Sequence, residues 1–323
     1  MLTYIGRRIL YSVPVLAVAS FILFWGVRLT FDPTDKFRAS KDAARIIAEK
    51  RKELGLDRPI IAQWWTWITH FVRGDWGVSS STNGRVSDMT FRALGFTMQL
   101  IFWGILISLI IAVGVGVLSA VRQYSIPDYI FTGLSYLGIA IPVFWFALMA
   151  NQFLAIWPKQ TFNLSEPPLF FVGLHSTGQS GINLDYFRHL ALPVLALTVQ
   201  IIAVWSRFQR ASMLDVLSAD YVRTARAKGL PPRTVIFKHA LRNALLPLVS
   251  QSAVDIGALF GGLLITEQIY SIPGMGRLFL GGLQTGDVNV VLAWMMISAV
   301  FVILFNLIAD VIYGFLDPRV RLA

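Results

Sequence analysis

The stretch Asp220-Tyr-Val-Arg-Thr-Ala-Arg-Ala-Lys-Gly229, continuing as Leu-Pro-Pro-Arg-Thr-Val-Ile-Phe-Lys-His-Ala-Leu-Arg-Asn-Ala-Leu-Leu-Pro247, decides the reading of this chain. It spells a helix, a stop and a second helix. Ala225 and Ala227 favour helix. Gly229 supplies the left-handed residue on which helices commonly end, and Pro231 and Pro232 suit the first turn of a new helix. Tyr221, Thr224, Ala225 and Lys228 share one face at i, i+3, i+4 and i+7. The wider segment Arg207–Arg242 carries eight Lys/Arg against two Asp. On both sides the chain turns apolar, so a basic helix of small residues projects from between two hydrophobic runs, in a form that fits a groove on a partner.

Outward from this loop, the hydrophobic runs have membrane-spanning length, which is about 20 residues. Six candidates follow: Ile9 to Val27, Met98 to Val121, Tyr129 to Trp157, Leu190 to Trp205, Ala244 to Ile269 and Val288 to Phe315. Pro142 interrupts the third and predicts a kink there. Arg7 and Arg8 ahead of the first run, with Ala17 and Ala19 as a cleavage box, also fit a signal peptide. The length of the run and the spans after it favour a retained helix. Composition agrees: of 323 residues 55% are hydrophobic and only 14% charged, with a mean hydropathy of +0.63, whereas soluble domains are about one quarter charged. The expectation is an all-α integral membrane protein of about six transmembrane helices.

The net charge of +10 raises nucleic acid as a partner in a soluble protein. Here the charges mark loops instead. With the N-terminus inside, the inner pieces are Arg7/Arg8, Arg122, the 207–242 loop and Arg319/Arg321, while the short outer loops carry only Lys159, Arg188 and Arg277. That is the positive-inside pattern, with both termini cytoplasmic. Residues Arg28 to Gly95 carry 12 Lys/Arg and 8 Asp/Glu and are read as a polar extracytoplasmic segment, since long segments translocate regardless of charge. Within it Ala43 to Leu54 reads as a short helix. Trp64, Trp65 and Trp67 suit either a helix lying on the membrane surface or burial in a small domain outside it.

Catalytic constellations are missing from the sequence. It has no cysteine, no paired-His metal motif, no Gly-x-Ser-x-Gly and no Gly-x-x-x-x-Gly-Lys-Ser/Thr phosphate loop. An intramembrane enzyme is therefore disfavoured, and ATP hydrolysis is not expected of this chain. A DNA-binding helix-turn-helix is disfavoured by the tether of the loop between two spans. Two further features stand out. Gly257 and Gly261 form a GxxxG, which permits close helix approach, either within the chain or to a partner. Asp255 and Asp310 lie in spans, where a carboxylate faces protein or water; they either line a pathway or pair structurally. Glu267 is expected near the outer interface.

The 207–242 loop resembles the "EAA" loop of ABC importer permeases, a Glu-Ala-Ala triplet followed after three residues by glycine. Arg223, Thr224 and Ala225 take the triplet positions, Gly229 the glycine and Leu241 a later leucine. Arg223 stands where the general motif has Glu, and Arg242 where it often has Pro. Both departures are similar to the dipeptide/oligopeptide/nickel branch, whose loops resemble D-Y-V-R-T-A-x-A-K-G-L and H-A-L-R-N-A. Gly138-Ile-Ala-Ile-Pro142-Val-Phe-Trp, Leu54-Gly-Leu-Asp57, Arg73-Gly-Asp-Trp-Gly77, and Glu267 with Pro273-Gly-Met-Gly-Arg277-Leu are similar to the same branch. Near Arg28, Asp32-Pro33 is present without the Pro-Gly that commonly precedes it.

The resemblance is to B-type permease subunits and implies a type I ABC importer permease fold. Residues 1–31 would be the N-terminal tail and first helix, 32–96 the extracytoplasmic segment and 97–323 the core with its coupling loop. Implied partners are a second, C-type permease, two ATP-binding subunits or domains that hold ATP and Mg, an extracytoplasmic binding protein, and an oligopeptide or dipeptide substrate. The location implied is the cytoplasmic membrane of a prokaryote. Asp220, Tyr221, Arg223, Thr224, Ala225, Lys228 and Gly229 would dock the ATPase. The same fold also imports nickel, glutathione or haem; a proton-coupled secondary transporter is the more distant alternative.

Overall fold

The computed structural model describes residues 2–34, 38 and 42–316; the predicted charged end Asp317, Pro318, Arg319 and Arg321 lies outside them. Among the described residues there are helices and one isolated β-bridge, Val78 with Arg85. Four helices are long and apolar enough to cross a membrane: α1 (Leu2–Thr30), α4 (Val86–Val121), α8 (Leu184–Leu217) and α15 (Val288–Leu316). Two bent pairs raise the number to six. One is α5 (Ile126–Ala140) with α6 (Val143–Asn151), continued by a π-turn and α7 (Trp157–Thr161). The other is α10 (Pro232–Thr234), a π-turn and α11 (Leu241–Ala244), followed by α12 (Leu246–Gly262). The helices α2 (Ala43–Glu53), α3 (Ile60–Val72), α9 (Asp220–Ala227), α13 (Leu264–Ile269) and α14 (Met275–Thr285) lie between them.

Four spans differ from the expectation. The third is broken rather than kinked, with a bend of 104° between α5 and the helix that follows. Pro142 is the extended N-cap residue of α6, with ψ 136°, because proline removes one amide and clashes with the preceding turn. The fifth span does not run to Ile269: its helix stops at Gly262 and α13 sets off separately. Pro247 in its first turn bends it by 43° from the helix before. The second and fourth spans are longer than hydropathy marks. At 1.5 Å per residue, the 36 residues of α4 and the 34 of α8 reach roughly 50 Å, against about 30 Å of hydrocarbon.

The centre of the molecule is the α4–α8 pair. Gly104, Ser108, Ala112, Gly116 and Ala120 recur at every fourth position of α4 and are all buried, giving one flat stripe of small residues on which a second backbone can close. A Cβ on Gly104 would stand 2.6 Å from Leu197 Cδ2, and one on Gly116 2.6 Å from Gln209 Cβ and 2.9 Å from the Ser206 carbonyl. Overpacking here forces α8 away, at a cost of about 1–3 kcal/mol or more. Gly116→Val is expected to lower the thermal midpoint of the solubilised protein well below that of Gly114→Val, where a Cβ meets nothing within 4 Å. Equal midpoints would show that this stripe does not set the packing.

Around this pair the remaining elements close the core. Tyr270, Ile272, Phe260 and Leu263 join Leu100, Leu192 and Leu197 in the largest apolar cluster. The polar segment between α1 and α4 is fastened to the start of α15. Asp287 is fully buried and accepts from Ser79 Oγ at 2.6 Å and from the Val290 amide at 3.4 Å, while Asn289 Nδ2 donates to the Val78 carbonyl at 2.9 Å. Of the two readings for the Trp-rich stretch, α3 takes neither purely. Trp64 donates to Ser20 Oγ on α1 at 3.1 Å and Trp67 packs on Phe24, whereas Trp65 and Ile61 are exposed. Beyond α1, Asp32 accepts from the Thr34 hydroxyl and amide and from Arg51. Burial opposes its charge, but these donors hold the carboxyl at about 2, so this tie is in force at neutral pH and lost as pH falls through about 2.

Candidate docking loop and its supports

The short helix α9 is built as the sequence requires. Lys228 caps it, Gly229 follows at φ +73°, the Gly229 amide reaches the Arg226 carbonyl at 2.9 Å and the Leu230 amide the Ala225 carbonyl at 3.4 Å. This is the Schellman arrangement, which needs a left-handed residue after the cap. Asp220 in the first turn and Arg226 in the last match the helix dipole.

The helix is seated rather than free. Val222 and Ala225 are buried in one apolar cluster with Val117 and Ala120 of α4, Met213 of α8, and Val235, Ala240 and Ala244. Asn243 Nδ2 donates to Tyr221 Oη at 2.8 Å, and Ser212 Oγ to the Ala244 carbonyl at 2.9 Å. The predicted shared face therefore divides. Tyr221, Thr224 and Lys228 are exposed, but Ala225 is turned inward and supports the helix, because Val222 three positions earlier draws that side into the core. Arg223, Arg226, Lys228, Arg233, Lys238 and Arg242 are all exposed around the loop. Asp220 is the acid near them, its Oδ1 3.7 Å from Arg223. A Cβ on Gly229 would meet nothing within 4 Å, so the tip of the loop is open.

The remaining predicted residues are spread through the bundle. Asp255 accepts from Trp205 Nε1 at 2.7 Å and Gln251 Nε2 at 2.9 Å. Asp310 pairs with Arg8 at 3.0 Å, joining α15 to α1. Gly257 packs on α15 in this same chain: a Cβ there would lie 3.1 Å from Phe305 Cβ and 3.3 Å from Val302 Cα. Gly261 is in the last turn of α12. Pro142 marks the α5–α6 break.

Glu267, expected close to the outer interface, is fully buried within the protein. Its Oε1 accepts from Thr97 Oγ1 at 2.6 Å, its Oε2 from the Arg277 amide at 3.0 Å, and Thr97 Oγ1 accepts from the Met275 amide at 2.8 Å. A carboxylate and a hydroxyl thus satisfy the first free amides of α14, which is why burial is tolerated. The glycines beside it are there for space. A Cβ on Gly274 would lie 2.3 Å from Glu267 Oε1, and one on Gly276 2.5 Å from Leu264 Cα.

One pair was not connected from sequence. Asp128, in the first turn of α5, accepts from Arg210 Nε and Nη2 of α8, both at 2.8 Å. The two lie 82 residues apart, and the only local signal is an acid in the first turn of a helix.

A polytopic helical membrane protein with broken spans and a seated basic loop helix has the fold of ABC importer permeases. The fold resembles that of a chain of the MetNI methionine ABC transporter solved in inward-facing conformations, with a TM-score of 0.54 at 18% identity over 71% of this chain and 96% of that one. The chain belongs to the family described as binding-protein-dependent transport system inner membrane component: residues 112–322 match that model, and residues 1–108 match the model of the N-terminal part of such membrane components. Among its relatives, the oligopeptide transport system permease protein AppB of Bacillus subtilis is 38% identical over 99% of this chain and 100% of its own length. OppB of Mycobacterium tuberculosis, an oligopeptide transport system permease protein, is 36% identical over the whole of both. GsiC of Salmonella choleraesuis, a glutathione transport system permease protein, is 32% identical over 99% of both.

Proposed function

We propose that this chain forms, with a second permease, the pathway of an ATP-driven importer of oligopeptides or dipeptides in a prokaryotic cytoplasmic membrane. Separate ATP-binding subunits, which hold ATP and Mg, dock on α9 and the Gly229 turn, and an external binding protein delivers peptide at the opposite end. In this reading the α9 end and both termini face the cytoplasm. The observation that carries it is the α9 loop: a short basic helix held firmly on the ends of α4 and α8, its glycine tip open. A push on a helix seated in this way is passed to two long rods rather than absorbed by a loop. The peptide substrate is supported by the names of the full-length relatives AppB and OppB.

The test is ATP hydrolysis by the chain reconstituted with its candidate ATPases and second permease, with and without binding protein and a peptide panel. Stimulation several-fold by oligopeptides or dipeptides is expected. The likeness to GsiC makes glutathione the second arm, and stimulation by it alone would move the substrate there. An assembled complex that no peptide stimulates would count against peptide import and leave nickel or haem.

A further inference from the structure

The α5 helix has an unusual standing in this fold. It is joined to its successor through the 104° break, so it is not half of a straight span. Its outward side, with Ile130, Leu134 and Leu137, is exposed. Its other side is fastened to α8 at four levels. At the break, Gln200 Nε2 donates to the Ile141 carbonyl at 3.1 Å, a group turned out of the helix by the extended backbone that precedes Pro142. A Cβ on Gly138 would lie 3.0 Å from Ala203 Cβ, and the hydroxyls of Ser135 and Ser206 are 3.2 Å apart.

The fourth level is the Asp128–Arg210 fork. Asp128 is 4% exposed and Arg210 27%. The same carboxylate accepts from the Tyr124 amide at 3.0 Å, holding Tyr124 at φ +62° in the turn between α4 and α5. One side chain thus binds the α4–α5 turn, α5 and the part of α8 just before Ser212 and Met213, the residues that support the α9 loop. Burying such a pair gives little net stability compared with apolar packing. What a bidentate fork adds is direction, since it resists sliding and rotation of one helix against the other.

We infer that Asp128 and Arg210 are a positioning pair that yokes α5 to the α8–α9 lever, so that α5 moves together with the docking loop and the chain flexes at the Ile141–Pro142 break. This rests on the proposed docking of ATPases at α9.

The experiment uses the complete reconstituted transporter. For Asp128→Asn the ATPases are expected to co-purify and hydrolyse ATP as in wild type, while peptide uptake per ATP falls about tenfold, a typical size for a coupling between sites. Asp128→Glu, which keeps a carboxylate, is expected to recover most of that loss. The sequence has no cysteine, so Leu134→Cys on α5 and Asp215→Cys at the exposed end of α8, outside the docking residues, place two spin labels without background. Their separation should stay single through the nucleotide cycle, and broaden in the Asp128→Asn protein. Wild-type uptake per ATP with an unchanged separation in Asp128→Asn would overturn the yoke. So would a parallel loss of protein amount, ATPase binding and uptake that Asp128→Glu fails to reverse, since that marks a purely structural pair. If Gly229→Trp leaves uptake intact, the docking reading has failed; if it abolishes uptake while Asp128→Asn keeps the wild-type uptake per ATP, only the yoke has.

Discussion

Gly229→Trp is expected to abolish ATP-driven uptake while leaving the protein folded in the membrane. Inside this chain the change is mild. The position is exposed and nothing lies within 4 Å of a Cβ there. The cost is that of an L-residue held at φ +73°, about 1–2 kcal/mol, and it falls on the end of one exposed helix. For a docked ATPase the change is severe, because an indole fills the point where its groove meets the tip. Uptake should fall by about a hundredfold or more, equivalent to roughly 2.7 kcal/mol of lost docking. Gly229→Asn separates bulk from backbone strain. Asparagine visits the left-handed region, so it should keep the turn and retain measurable uptake. The readings are uptake into proteoliposomes, the amount of chain, and co-purified ATPase. Normal uptake by Gly229→Trp with ATPase bound would end the docking model.

Glu267→Ala is expected to cost more of the fold than any other single carboxylate replacement. It removes the acceptor for Thr97 and for the Arg277 amide and leaves a cavity at a fully buried site. Each buried donor left without a partner costs about 1–3 kcal/mol, so the total should reach about 3 kcal/mol or more. Glu267→Gln keeps the volume but turns one acceptor into a donor facing a donor, and should recover only part of the loss. Asp310→Asn, at the half-exposed partner of Arg8, is the comparison and should cost under about 1 kcal/mol. Thermal unfolding of the three solubilised variants checks the order; a Glu267→Ala midpoint close to that of Asp310→Asn would show that the α14 amides find other partners.

How much of this was legible from the residues depends on the distance over which each signal acts. Local chemistry was readable. The Gly229 stop and the proline start lie within one turn of the helices they bound, and α9 ends as its sequence dictates. Hydropathy located the spans but not their ends. Val86 to Phe96 and Arg207 to Leu217 are helical yet too polar to score as membrane, so α4 and α8 outrun their predicted limits. Pro142 announced a disturbance, but whether a proline kinks a helix or ends it depends on whether a neighbour can take the carbonyl that an extended break exposes. Here Gln200 does so, from 59 residues away. Ala225 was assigned outward because periodicity gives a face without saying which way it points; Val222 settles that. Glu267 and Asp128 were beyond reach for the same reason, since their partners Thr97 and Arg210 lie 170 and 82 residues off.

The placement of α1 bears on how the chain is made. It packs on α15 and α3, with Phe24 and Val27 in one cluster with Val288, Val291 and Leu292. Among the described helices, α1 therefore has its main partner in α15, which is made long after it. At ordinary elongation rates that partner arrives on the order of tens of seconds later, after α4 and α8 have both been synthesised and are free to pair. During that interval α1 has lipid, or whatever inserts it, as its neighbour. A nascent chain halted before Val288 should hold a closed α4–α8 centre and a loose α1, which is seated only once α15 has been made.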